Sequence, residues 1–186
     1  MGQITYRTMR EEDVARVAEL ERLCFRTPWS YNSLLGELSN SVAYYLVAVD
    51  DNEVCGYAGM WVMLDEAHMT NIAVEEGHRM RGIARGLIIR LMRAALKKGA
   101  ERMTLEVREN NHSAQRLYAS LGFAFAGIRK RYYTDTGENA LILWNDCIID
   151  TYEKNSALLE NGADNNTAEQ TEQTEQNRKT EVISNA

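Results

Sequence analysis

Residues 71–99 read NIAVEEGHRMRGIARGLIIRLMRAALKKG, and a change of period inside this stretch decides the fold. His68 to Val74 reads as a strand, and the strand pattern ends at Gly77. Ala84, Leu87, Ile88, Leu91 and Ala95 then fall at i, i+3, i+4, i+7 and i+11, one face of a helix that ends before Gly99. Between the two lies Arg79-Met80-Arg81-Gly82-Ile83-Ala84. Small residues at 82 and 84 let backbone N–H groups approach an anion, and a helix N-terminus adds a positive dipole end. Seven bases and no acid lie between Arg79 and Lys98, a local excess expected to face a phosphate-bearing ligand. A solvated helix face behind an ordinary glycine turn would show the same residues. Nucleic-acid contact is disfavoured, because no aromatic residue interleaves with these bases.

The flanking segments extend the pattern. Ile4, Tyr6 and Thr8 alternate as a short strand, and Val14 to Cys24 follows helical spacing. Pro28 ends that helix, and Ser30 can cap a second running to about Leu38. Tyr44 to Val49 and Val54 to Leu64 form a hairpin around Asp50-Asp51-Asn52. Met103, Leu105 and Val107 alternate as a strand, Ser113 to Ser120 is a short helix, and Phe123 to Tyr133 with Asn139 to Ile149 makes a last hairpin. The expected order is β-α-α-β-β-β-α-β-α-β-β, an α/β fold with a mixed central sheet and helices on both faces.

Composition divides the chain. Of 186 residues with net charge −6, residues 155–186 carry six acids and two bases, so the tail accounts for −4 and residues 1–154 for −2. Residues 1–154 are expected to be one domain, and 155–186 a disordered, acidic, polar tail dispensable for activity. Met1 to Arg10 has no apolar h-region and no window approaches a membrane span, so a cytoplasmic location without membrane or nucleic-acid partners is expected. Cys24, Cys55 and Cys147 form no CxxC pair, and His68, His78 and His112 lack metal-like spacing. No metal is expected.

Asn71-Ile72-Ala73-Val74 followed by Arg79-x-x-Gly82-x-Ala84 resembles the acetyl-CoA loop of the GNAT N-acetyltransferase superfamily, although Ala84 stands where many members have a second glycine. Leu105-Glu106-Val107-Arg108, Asn110-Asn111 and Leu117-Tyr118-Ala119-Ser120-Leu121-Gly122-Phe123 resemble a second signature of that superfamily in register with the first. Phe25-Arg26-Thr27-Pro28-Trp29-Ser30, Leu64-Asp65-Glu66-Ala67 and Ile128-Arg129-Lys130-Arg131-Tyr132-Tyr133 are similar to the RimI group of bacterial ribosomal-protein alanine N-acetyltransferases. The similarity runs from about Ile4 to Ile149.

The resemblance implies a GNAT-like domain that consumes acetyl-CoA and acetylates the N-terminal alanine of a small-subunit ribosomal protein by direct attack in a ternary complex. It implies that Ile72, Ala73 and Val74 pair their backbone with the pantetheine arm. Met80, Arg81, Gly82, Ile83, Ala84 and Arg85 would cradle the pyrophosphate, and Asn111 would hydrogen-bond the cofactor. Glu106 is implied as general base and Tyr118 as general acid, close to the coenzyme sulfur. Thr104 and Glu106 alternate away from the apolar face of their strand, and burial of Glu106 is expected to raise its proton affinity. Trp29, Asp65, Glu66, Tyr132 and Tyr133 are candidates for holding the acceptor peptide. An α-amino group ionises near 7.7–8.0 and lysine near 10.4, so near pH 7.5 roughly a third of the former is already neutral. An N-terminal acceptor therefore asks little of its base. Other protein N-termini, lysine or a small-molecule amine remain alternative acceptors, and a non-catalytic acyl-CoA-binding or ribosome-associated module is an alternative of another class.

Overall fold

Alternating and helical apolar patterns bury two opposite faces of one sheet. In the computed structural model, which describes residues 2–160, seven strands lie in the order β1-β2-β3-β4-β5-β7-β6. They are β1 (Thr5–Thr8), β2 (Ala43–Asp50), β3 (Glu53–Met63), β4 (Glu66–Val74), β5 (Arg102–Arg108), β6 (Ala124–Tyr133) and β7 (Glu138–Asn145). The helices are α1 (Val14–Cys24), α2 (Tyr31–Glu37), α3 (Ile83–Lys97), α4 (His112–Ser120), α5 (Ile148–Asn155) and α6 (Ala157–Glu160). Ser30 caps α2, its Oγ accepting from Ser33 N at 3.1 Å.

One core packs α1 and α2 through Val14, Val17, Leu20 and Leu34 against Tyr45, Val47 and Tyr57. The other packs α3 through Leu87, Ile88 and Leu91 against Ala58, Met69, Met103 and Leu105, with α4 and α5 beside it. Every neighbouring strand pair is antiparallel except β4 and β5. Those two pair only from Glu66↔Arg102 to Met69↔Leu105, although both strands continue beyond.

A bulge in β4 accompanies this divergence. Met60 faces Met69 and Gly59 faces Asn71, so Thr70 is the extra residue and the side-chain alternation reverses there. Ala67 and Met69 enter the α3 core, whereas Ala73 enters the α1 and α2 core.

The chain's end differs from the reading of its sequence. The last strand stops at Asn145, not Ile149, and α5 and α6 follow. Asn145 breaks the strand with its own side chain: Oδ1 accepts from Cys147 N at 3.0 Å, and Nδ2 donates to Leu121 O at 2.9 Å and Thr151 Oγ1 at 2.8 Å. Residues 155–160, assigned to the tail from composition, are helical apart from Ser156, and Leu159 is buried. The expected disorder of residues 161–186 lies outside the described residues. Arg90 Nη2 donates to Leu159 O at 3.4 Å, and Arg85 Nη1 to Asn155 Oδ1 at 3.4 Å. Truncation after Lys154 would remove these contacts from the fold. Loss of one buried leucine, about 2 kcal/mol, is expected to lower Tm by about 5 °C in thermal denaturation; an unchanged Tm would show that this segment contributes nothing to the fold.

Candidate active site

The divergence of β4 from β5 opens a crevice at the carboxyl ends of two parallel strands, the position where open α/β sheets bind ligands. Ile72, Ala73 and Val74 form its first wall. They pair with Ala58, Tyr57 and Gly56 of β3 on one side, and among the described residues their β5-facing side has no strand partner.

The base of the crevice is the start of α3. Gly82 is the N-cap at φ 78°, a left-handed conformation, and among the described residues no side chain caps the helix. The N–H groups of Ile83, Ala84 and Arg85 lack intrahelical acceptors, which suits them to an anion. Met80 also has positive φ, and its side chain is almost wholly exposed.

The seven bases do not converge on this spot. Arg81 Nη1 is held by Asp50 Oδ2 at 2.7 Å, and Arg85 Nη2 donates to Ser120 Oγ at 2.6 Å. Arg79 Nε donates to Val74 O at 3.1 Å. Arg90 is buried, with its guanidinium 3.9 Å from the centre of the Tyr6 ring. A helix distributes bases around its circumference, so an excess counted along the sequence does not become a single patch. Main-chain donors, not side-chain charge, dominate the loop.

The second wall carries the titratable groups. Met103, Leu105 and Val107 enter the α3 core, which turns Thr104 and Glu106 to the opposite face. Glu106 Oε2 lies 2.6 Å from His68 Nε2, and Oε1 lies 3.0 Å from Arg129 Nη1 on β6. Burial pushes the Glu106 carboxyl up, but the hydrogen bond and charge of His68 and the charge of Arg129 outweigh it and hold the carboxyl below its ordinary value. The expectation of a raised proton affinity is thus corrected. Burial came with two partners.

Tyr118 is buried on α4, edge-on to Phe123 at 5.8 Å between ring centres. Burial raises its hydroxyl above the ordinary range and nearby Tyr133 adds to this, so the phenol keeps its proton at neutral pH. Its hydroxyl has no hydrogen-bond partner among the described residues. Asn111 is the N-cap of α4: Oδ1 accepts from Ala114 N at 3.1 Å, which occupies its acceptor atom with the helix itself.

The acceptor candidates separate. Tyr133 is half-buried under the Arg108 guanidinium, 3.9 Å from the ring centre, and burial pushes its hydroxyl up to about 12. It is close enough to Glu106 and to Tyr118 to interact electrostatically with both. Tyr132 is exposed and packs edge-on against Tyr133. Trp29 is fixed by its backbone N–H, which donates to Glu21 Oε2 at 2.7 Å; Glu21 is wholly buried and also holds Tyr57 and Asn71 Nδ2. Asp65 and Glu66 are already engaged by Arg102, at 3.9 Å and 2.5 Å, beside the paired end of β4. His68 and Arg129 were not singled out from the sequence. Their convergence on Glu106 needs the β4–β5 register and the β6 hairpin, which no local pattern encodes.

Among the described residues there is no group of three or more metal-ligating side chains, and no helix is long and apolar enough to cross a membrane.

Residues 10–123 match the model of the acetyltransferase (GNAT) family. A Bacillus subtilis (strain 168) protein provisionally named ribosomal protein bS18-alanine N-acetyltransferase is 43% identical over 139 residues, covering 74% of this chain and 92% of that protein. The Escherichia coli (strain K12) protein named ribosomal protein bS18-alanine N-acetyltransferase is 34% identical over 143 residues, covering 75% and 95%. The crystal structure of the ribosomal-protein-S18-alanine N-acetyltransferase from Escherichia coli superposes with a TM-score of 0.70 at 31% identity, covering 76% of this chain and 92% of that one. The matched segment contains both crevice walls and the uncapped helix between them, and the chain belongs to the acetyltransferase (GNAT) family.

Proposed function

We propose that this chain transfers the acetyl group of acetyl-CoA to the N-terminal α-amino group of a ribosomal protein, with alanine first. The observation that carries the reading is the divergence of β4 from β5 beside the glycine-led start of α3, in a domain that also bears an ionised Glu106 on β5 and a protonated Tyr118 on α4. The choice of acceptor rests on relatives named for ribosomal protein bS18-alanine acetylation.

Acetyl-CoA is a co-substrate that supplies an activated acetyl thioester. Residues 80–85 suit its pyrophosphate through main-chain N–H groups, and Ile72 to Val74 offer a free strand edge to an extended amide-bearing arm. Glu106 supplies the negative charge that draws a proton off the incoming ammonium, and Tyr118 returns one to the departing sulfur. The depressed carboxyl of Glu106 suits an α-amine, which is partly neutral at pH 7.5, far better than a lysine. The reaction requires cytoplasmic acetyl-CoA and a newly made ribosomal protein, so the cytoplasm is its location.

Incubation with acetyl-CoA and peptides beginning with Ala, Ser or Met, beside a polyamine, tests the reading. The Ala peptide should turn over fastest; faster turnover of the polyamine would sink it. Gly82→Val should raise KM for acetyl-CoA about tenfold through the cost of a left-handed non-glycine residue, with a smaller change in kcat. An unchanged KM would remove residues 80–85 from the cofactor site.

A further inference from the structure

His68 stands on β4, on the side of the sheet opposite α3, and is held from two directions. Its Nε2 lies 2.6 Å from Glu106 Oε2. Its ring packs edge-on against Trp61, with centroids 6.4 Å apart and planes 81° apart. Trp61 is itself tied down, Nε1 donating to Glu37 Oε2 at 2.5 Å. Nδ1 of His68 has no hydrogen-bond partner among the described residues. The side chain is 30% exposed against 10% for Glu106, so the imidazole, not the carboxylate, is the more accessible member of the pair.

Glu106 meets a partner at each carboxylate oxygen, and these lower its affinity for a proton. One oxygen is occupied by His68 and the other by Arg129. Proton transfer from an α-ammonium, which ionises near 7.7–8.0, is far less uphill to an ordinary imidazole at about 6.5 than to an ordinary carboxyl at about 4.3. A carboxylate bonded to one imidazole nitrogen, with the other nitrogen free, is the arrangement that hydrolases use to orient a histidine base.

We propose that His68 is the catalytic group that receives the proton of the acceptor's α-ammonium, and that Glu106 orients its ring and stabilises the resulting imidazolium. This rests on the reading of the chain as an α-amine acetyltransferase. Nδ1 takes one proton from R–NH3+, leaving a neutral amine. The amine nitrogen forms the C–N bond to the acetyl carbon, and the C–S bond breaks with its electron pair on sulfur. Tyr118 gives that sulfur a proton; the second proton lost by nitrogen restores the phenol, and the imidazolium returns its proton to water. The titratable and charged groups around the pair are Glu106 on β5, Arg129 and Tyr133 on β6, Glu37 on α2 and Tyr45 on β2, the last with its hydroxyl 3.1 Å from Thr70 Oγ1.

The test compares the full-length wild type with His68→Ala and His68→Gln on an alanine-initial peptide between about pH 5.5 and 9, with coenzyme A binding measured by calorimetry. His68→Ala should lower kcat about a hundredfold while leaving coenzyme A affinity within about twofold. In the Ala variant the rate should follow only the titration of the peptide's own α-amine, near 7.7–8.0, and added imidazole should restore about tenfold of the loss. His68→Gln, which keeps a hydrogen bond to Glu106 but cannot take a proton, should be as slow as His68→Ala. Wild-type kcat in the Gln variant, or a pH profile identical to wild type with no imidazole rescue in the Ala variant, overturns the proposal alone. Failure of the wild type to acetylate the peptide overturns the activity reading and this proposal with it.

Discussion

Glu106→Gln is expected to lower kcat for an alanine-initial peptide about a hundredfold, the same loss as His68→Ala, because the carboxylate acts through the imidazole that it orients. Gln keeps the shape of the side chain but removes the charge that meets His68 at 2.6 Å and Arg129 at 3.0 Å. KM for acetyl-CoA should move little, because the carboxylate lies on the β5 wall and the pyrophosphate loop lies at α3. The variant should also lose stability with a defined sign. A carboxyl held below its unfolded value stabilises the fold above that value, about 4.3, and the contribution disappears as pH falls through the depressed value. The Tm difference between wild type and Gln should therefore be full at pH 7 and close as the solution is acidified below about pH 4. A kcat within threefold of wild type, or a Tm difference that grows on acidification, would remove Glu106 from the role given to it.

Tyr118→Phe is expected to lower kcat about a hundredfold with almost no cost to folding. The ring packs against Phe123 in the α3 core, and the phenol oxygen bonds to no described residue, so the substitution deletes a proton donor and leaves the packing intact. Thermal denaturation should give the same Tm as wild type within about 2 °C. A thioester with a better leaving group should recover much of the lost rate, because it needs less protonation of the sulfur. If that substrate and acetyl-CoA are slowed equally, Tyr118 contributes packing and not acid catalysis.

The two expected losses differ in what surrounds the reacting group, and the sequence conveys only part of that difference. Alternation placed Glu106 on the face away from Leu105 and Val107, because that follows from local backbone geometry. The direction of the Glu106 shift was misread, because it depends on His68, 38 residues earlier, and on Arg129 from the edge strand. The charge count along residues 79–98 misled for a related reason: the helix turns Arg90 inward and spreads the other bases around its circumference.

The sequence by itself determined the order of elements as far as β7, the uncapped glycine-led start of α3, and the family, since each rests on period, turn chemistry or spacing within about twenty residues. The tertiary structure alone decided where β4 leaves β5, how the Thr70 bulge reverses the side-chain alternation, and that Leu159 belongs to the domain. It also decided which residues meet Glu106. Strand register and helix packing bring together groups far apart in the chain, and no local preference of the backbone specifies those partners.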